Sequence, residues 1–74
     1  MKVSYNKLWK LMIDRDIRKG QLREATGIGK STLAKLGKNE QVSMSVLLSV
    51  CEYLNCDFCS IMEALPDERR ETND

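Results

Sequence analysis

Residues 19–36 read KGQLREATGIGKSTLAKL, and this stretch decides the fold. It divides into two short helical segments, 19–26 and 30–36, joined by a tight turn. Gly27 stands where a helix C-terminus favours a left-handed residue. Apolar side chains are spaced to lock the two segments together: Leu22, Ile28, Leu33 and Leu36. The stretch therefore predicts a helix-turn-helix.

The second segment has the surface of a helix that reads DNA. Such a helix enters the major groove, about 12 Å wide, with polar side chains at its start and on one exposed face. The segment offers four such side chains: Lys30, Ser31, Thr32 and Lys35. Leu33 and Leu36 are then left to face the core.

Charge is divided unevenly along the chain. Residues 1–38 contain ten Lys and Arg against three Asp and Glu, a balance of +7. Residues 39–74 contain two against eight, a balance of −6. The asymmetry predicts a polyanionic partner for the first half. From charge alone, the asymmetry has an alternative explanation: solvated helix faces whose charges happen to segregate by sign.

Helical spacing continues outside this stretch. Ser4 is placed to cap a first helix that ends around 14–16, and Ser43 to cap a fourth helix that ends at Asn55. Asp57 is placed to cap a short fifth helix that ends before Pro66. No segment alternates as a strand does. We therefore expect an all-α, five-helix DNA-binding domain over residues 1–65 and a disordered polar tail over residues 66–74.

Length and composition exclude several other classes of protein. With 74 residues, 42% hydrophobic and 31% charged, the chain is one small domain with little room for a deep substrate pocket. It has no His, and no Ser or Cys with a recognisable partner base, so we expect no enzyme. The absence of a long apolar run, of a secretory pattern and of an even cysteine count predicts a cytoplasmic, reduced protein.

Residues 4–65 resemble the Cro/cI-type helix-turn-helix regulators of phage and bacteria. The resemblance rests on Leu22, the pair Gly27-Ile28, and Ser31-Thr32-Leu33 with Leu36. The helices that begin at Ser43 and Asp57 match in order and spacing. The resemblance implies a lambda-repressor-like domain that regulates transcription as a repressor in a bacterial or phage-type host. It also implies a dimer on a pseudo-palindromic operator. Because the sequence shows no separate oligomerisation domain, we expect this homodimer to be weak or DNA-induced, and we expect no cofactor and no small-molecule ligand.

The resemblance also implies which residues meet DNA. Base-reading positions fall on Lys30, Ser31, Thr32 and Lys35. Phosphate-contacting positions fall on Arg18, Lys19, Arg23, Lys38 and Asn39. The family usually has a small residue where Arg23 stands, so the Arg23 stem either covers the helix junction or its guanidinium contacts phosphate.

Two other motifs carry little weight. GIGKST, residues 27–32, imitates the end of a phosphate-binding loop, but Glu24 stands where that pattern needs Gly, and no strand precedes it. Cys56 and Cys59 form a CxxC, yet three Cys and no His are too few for a structural zinc site. Cys51 falls on an apolar stripe and is expected to be a buried small hydrophobe.

A second class of function stays open. An antitoxin-like or adaptor subunit could keep this fold and bind a protein through its acidic second half. Affinity for duplex DNA that falls with salt distinguishes the two classes.

Overall fold

The computed structural model describes residues 1–66. A short strand, β1 (Lys2–Ser4), precedes three helices: α1 (Asn6–Asp14), α2 (Lys19–Thr26) and α3 (Lys30–Gly37). Helix α4 (Met44–Leu54) follows, then one turn of 3₁₀ helix (Phe58–Ser60) and a second strand, β2 (Glu63–Leu65). Among the residues that the structure describes, no helix has the length and apolar character needed to cross a membrane.

The prediction of an all-α domain with five helices is wrong. The expected fifth helix is a single 3₁₀ turn, and the chain then extends into β2, which pairs antiparallel with β1. Val3 lies opposite Ala64, and Ser4 lies opposite Glu63. Strands of three residues are too short to show alternation, and the pairing joins segments about sixty residues apart, so tertiary contact outweighs the local helical spacing.

Helix ends follow the local chemistry at most positions. The Ser43 side chain accepts a hydrogen bond from the Val46 backbone amide, which confirms the predicted cap of α4. Asn55 ends that helix with φ 53° and ψ 55°, as expected of a left-handed residue. Ser4 is not the N-cap residue of α1, because it belongs to β1 and Tyr5 precedes the helix, but its hydroxyl accepts a hydrogen bond from the first amide of α1, that of Asn6, at 3.3 Å.

The core lies where the four helices meet the 3₁₀ turn. Its buried apolar members are Tyr5, Leu8, Met12, Leu22, Ile28, Leu36, Leu47, Val50, Cys51, Leu54 and Ile61. Three residues of the predicted helix-turn-helix, Leu22, Ile28 and Leu36, therefore anchor its two helices in the common core. The predicted tail over 66–74 lies, apart from Pro66, outside the described residues.

Candidate nucleic-acid interface

A three-residue turn, residues 27–29, joins α2 to α3. Gly27 has φ 77°, and its amide donates to the Arg23 carbonyl at 2.8 Å. Ile28 turns into the core, 9% exposed. Gly29 is extended and accepts at its carbonyl from the Leu33 amide at 3.1 Å, which begins α3. The turn thus fixes the direction in which α3 leaves α2, as the sequence predicts.

Helix α3 presents one polar face to solvent. Lys30, Ser31 and Lys35 are exposed, and Thr32 is half-buried at the edge of that face. Leu36 is fully buried, and Leu33 is half-buried against the core. The structure therefore brings three of the four predicted base-reading side chains together and places Thr32 beside them. Ala34 lies on the same exposed face, where its small side chain leaves the lysines accessible.

The N-terminus of α2 is positively charged and held by two contacts. Lys19 is its first residue, and the Lys19 Nζ lies 4.8 Å from the centre of the Trp9 ring. This cation–π contact joins α1 to α2 and orients Lys19. The Arg18 amide donates to Gln21 Oε1 at 2.8 Å, which satisfies one donor at the start of the helix. Trp9 therefore positions a candidate site residue, Lys19, and the sequence did not predict this contact.

Both helices of the motif begin without an acidic side chain. The first turn of α2 and the first turn of α3 contain no Asp or Glu, and each helix starts on a lysine. A helix N-terminus carries free amide donors and partial positive charge, which ordinarily favours Asp or Glu. Helices α1 and α4 also lack an acidic residue in the first turn, so the distinguishing feature of α2 and α3 is the lysine at the first position of each.

The remaining predicted phosphate contacts lie at the other ends of the two helices. Arg23 is half-buried in the last turn of α2, so part of its side chain packs against the protein. Lys38 is exposed immediately after α3. Asn39 follows with φ 59°, and the Glu40 amide donates to the Lys35 carbonyl at 2.9 Å, which closes the helix end.

Asn39 has a structural contact that the sequence did not predict. Its Oδ1 accepts a hydrogen bond from the Tyr5 amide at 2.9 Å, and the Tyr5 hydroxyl donates to the Glu40 carbonyl, also at 2.9 Å. Tyr5 is 1% exposed. Burial raises the pKa of its phenol, and a hydrogen bond with the Val42 backbone partly offsets this rise. The start of α1 thus holds the loop that follows the candidate reading helix.

The structure also shows where the phosphate-loop-like stretch and the cysteine pair lie. Residues 27–32 form the turn and the first residues of α3. Within residues 1–66, no three His, Cys, Asp or Glu side chains are grouped so as to hold a metal ion. Cys51 is buried in the core as expected, Cys56 is half-buried and Cys59 is exposed.

Comparison with known proteins agrees with this geometry. A family model described as the Cro/C1-type HTH DNA-binding domain matches residues 7–67. The chain is similar to the crystal structure of the transcriptional regulator VanUg, Form II, at 73% sequence identity and a TM-score of 0.86. That similarity covers 89% of this chain and 88% of the other. No curated protein sequence matches the chain.

Proposed function

The chain belongs to the Cro/C1-type HTH DNA-binding family and is a DNA-binding transcriptional regulator, and we propose that it represses transcription by reading the major groove with α3. One observation carries the proposal. Lys30, Ser31 and Lys35 are exposed on one face of α3 while Leu36 anchors the opposite face in the core. A helix held in this way offers a rigid polar edge to the bases.

The four polar side chains of α3 suit base edges. Lysine ammonium groups donate to the O6 and N7 acceptors of guanine, and hydroxyl groups bond to several bases. We assign base reading to Lys30, Ser31 and Lys35. Thr32, half-buried at the edge of the face, contacts either a base or a neighbouring phosphate. Two lysines at this spacing favour sites that contain guanine.

Phosphate contacts fix the orientation of the module. The N-terminus of α2, with Arg18 and Lys19, forms one clamp on the DNA backbone. Lys38 and the amide nitrogen of Asn39 form a second clamp after α3, since the amide oxygen of Asn39 is already bonded to Tyr5. Arg23 contacts phosphate with its guanidinium while its stem stays packed. Such contacts supply affinity that weakens as salt rises.

Two copies are needed for useful specificity. A single module of this size buries a small area on DNA. We therefore propose that two copies bind adjacent half-sites about one helical turn apart, as a weak dimer or one that forms on the DNA. A protein seated in the groove excludes other proteins from that site, which is the basis for assigning repression. The proposal places the protein in the cytoplasm, with the DNA.

The test is binding to duplex DNA, measured by fluorescence anisotropy across a salt series and combined with selection from a randomised duplex library. We expect affinity to fall by orders of magnitude between about 50 and 200 mM salt. We also expect the selected duplexes to share two half-sites. If no duplex binds at about 50 mM salt, DNA reading is wrong, and a protein-interaction module on the same fold takes its place.

A further inference from the structure

Cys51 and Cys56 are joined through their backbones at the end of α4. Asn55 takes the left-handed conformation, and the chain reverses so that the Cys56 amide donates to the Cys51 carbonyl at 3.0 Å. The amide nitrogen lies about 1.5 Å, and the carbonyl oxygen about 2.4 Å, from its own Cα. The two Cα atoms are therefore less than about 7 Å apart, within the span that a disulfide needs.

The two side chains also lie in the same environment. Cys51 belongs to the buried core, 9% exposed, and Cys56 packs against that core while half-buried. In this type of helix end, the two residues joined by the hydrogen bond frequently make a side-chain contact. Burial raises the pKa of the Cys51 thiol, and the neighbouring Cys56 thiol, Asp57 and Cys59 raise it further. The two sulfur atoms are therefore close enough to interact.

We propose that Cys51 and Cys56 form a reversible dithiol–disulfide pair that a hydroperoxide oxidises. The established family activity does not require such a pair, and nothing in DNA reading uses either thiol. All three cysteines are free thiols in the structure. The pair is a modification site at the end of α4, the helix that packs against α2.

The half-buried thiol is the one that meets the oxidant. The Cys56 thiolate attacks the terminal oxygen of the hydroperoxide, and the O–O bond breaks. The other oxygen takes a proton and leaves as an alcohol, or as water when the oxidant is hydrogen peroxide. Cys56 is then a sulfenic acid. The Cys51 sulfur attacks the Cys56 sulfur, the S–O bond breaks, and the departing hydroxide takes the Cys51 proton as water. The two thiols lose two electrons and the hydroperoxide gains them.

Cys59 is the natural control for this pair. It is exposed in the 3₁₀ turn, and its carbonyl, not its thiol, accepts a hydrogen bond from Lys7 Nζ. It is also the nearest competitor, since CxxC spacing offers a disulfide between Cys56 and Cys59. A pairing measurement therefore has to separate three possible bonds.

The experiment oxidises the reduced full chain with hydrogen peroxide, removes the peroxide, blocks the remaining thiols with N-ethylmaleimide in denaturant, so that the buried Cys51 thiol can react, and determines the intact mass. Because the chain has three cysteines, the reduced protein takes three maleimide groups, and we expect the oxidised protein to take one. Cleavage after Glu52 and before Asp57 places each cysteine on a separate peptide. We expect the linked peptides to be those of Cys51 and Cys56, and dithiothreitol to restore all three thiols.

Variants make the assignment independent of the peptide map. Cys59→Ser should still form the disulfide and bind no maleimide after oxidation. Cys51→Ala and Cys56→Ser, with helix content checked by circular dichroism, should form no intramolecular disulfide. A bond between Cys56 and Cys59, a bond between two chains, or three maleimide groups after oxidation would each overturn the proposal. If Cys51→Ala unfolds, the peptide map of the wild-type chain still identifies which two cysteines are linked.

Discussion

Asn39 combines a structural contact with a proposed functional one. Its backbone adopts φ 59°, which Asn and Gly tolerate better than other residues, and its Oδ1 satisfies the amide of the buried residue Tyr5. Its amide nitrogen is left to contact phosphate. If the proposed phosphate contact exists, one side chain serves stability through its oxygen and binding through its nitrogen, and two substitutions can separate these roles.

We expect Asn39→Gly to lower the free energy of unfolding by about 1–3 kcal/mol, because the left-handed backbone is kept while the Tyr5 amide loses its acceptor. Asn39→Asp keeps an acceptor and should stay within about 1 kcal/mol of wild type. The same variant should bind duplex DNA more weakly, because a carboxylate replaces the amide donor. Urea unfolding and DNA titration measure the two effects. Equal stability of both variants would contradict the structural role of Oδ1.

Gly27 is the one glycine in residues 1–66 with positive φ, at 77°. An added Cβ meets no atom within 4 Å at either Gly27 or Gly29, so backbone conformation alone distinguishes the two positions. We expect Gly27→Ala to cost about 1–2 kcal/mol in chemical unfolding. Gly29→Ser, at the extended cap of α3, should leave stability unchanged or raise it by a few tenths of a kcal/mol. A Gly27→Ala variant as stable as wild type would refute the turn geometry.

Tyr5 predicts a dependence of stability on alkaline pH. Burial raises the pKa of its phenol above the ordinary 10.0, so the folded state holds this proton more tightly than the unfolded state does. Its contribution to stability is therefore complete below about pH 10 and is lost as pH rises through the folded pKa. We expect the stability difference between wild type and Tyr5→Phe to be constant below about pH 10 and to shrink as the pH rises further. A pH-independent difference in urea unfolding would argue against a buried phenol.

The proposed phosphate site at the N-terminus of α2 predicts a trade between stability and DNA binding. Its first turn lacks an acidic residue, and Gln21 supplies the neutral oxygen that accepts from the Arg18 amide. Gln21→Glu keeps that oxygen and adds a charge that the helix dipole favours. We expect it to raise the free energy of unfolding by about 0.3–1 kcal/mol and to weaken binding to duplex DNA.

Gln41→Glu is the matched control for stability, because it makes the same chemical change on an exposed residue outside any helix. Thermal unfolding of the two variants in low salt should show the gain only for Gln21→Glu. If Gln21→Glu bound DNA as tightly as wild type, the N-terminus of α2 would not be a phosphate site.

Some of these elements could be predicted from the sequence and others could not. Leu22, Gly27, Ile28 and Leu36 define α2, the turn and α3 through local spacing and one backbone requirement, so the helix-turn-helix is predictable. The strands β1 and β2 are not, because each is three residues long and exists only through pairing with a distant partner. The Tyr5–Asn39 bond and the position of Trp9 beside Lys19 are missed for the same reason. The face of α3 was predictable because helical period and burial decide it.

Across the whole domain, the uneven division of charge along the chain includes exposed lysines of the helix-turn-helix. Residues 1–38 carry a balance of +7, and their cations include Lys19 at the start of α2, Lys30 at the start of α3 and Lys35 on the exposed face of α3. The described residues after Lys38 carry acidic side chains and no Lys or Arg. We therefore expect a polyanion to approach the side of the helix-turn-helix, so that binding is oriented before any base is read.

The decisive measurement for α3 is the affinity of the double variant Lys30→Glu with Lys35→Glu for a duplex that wild type binds. The control, Lys2→Glu with Lys7→Glu, makes the same change in net charge on β1 and α1. We predict that the α3 variant loses specific binding by a factor of about 100 or more, with unchanged helix content. The control should lose far less. Equal losses in the two variants, or retained binding by the α3 variant, would contradict the assignment of α3 as the reading helix.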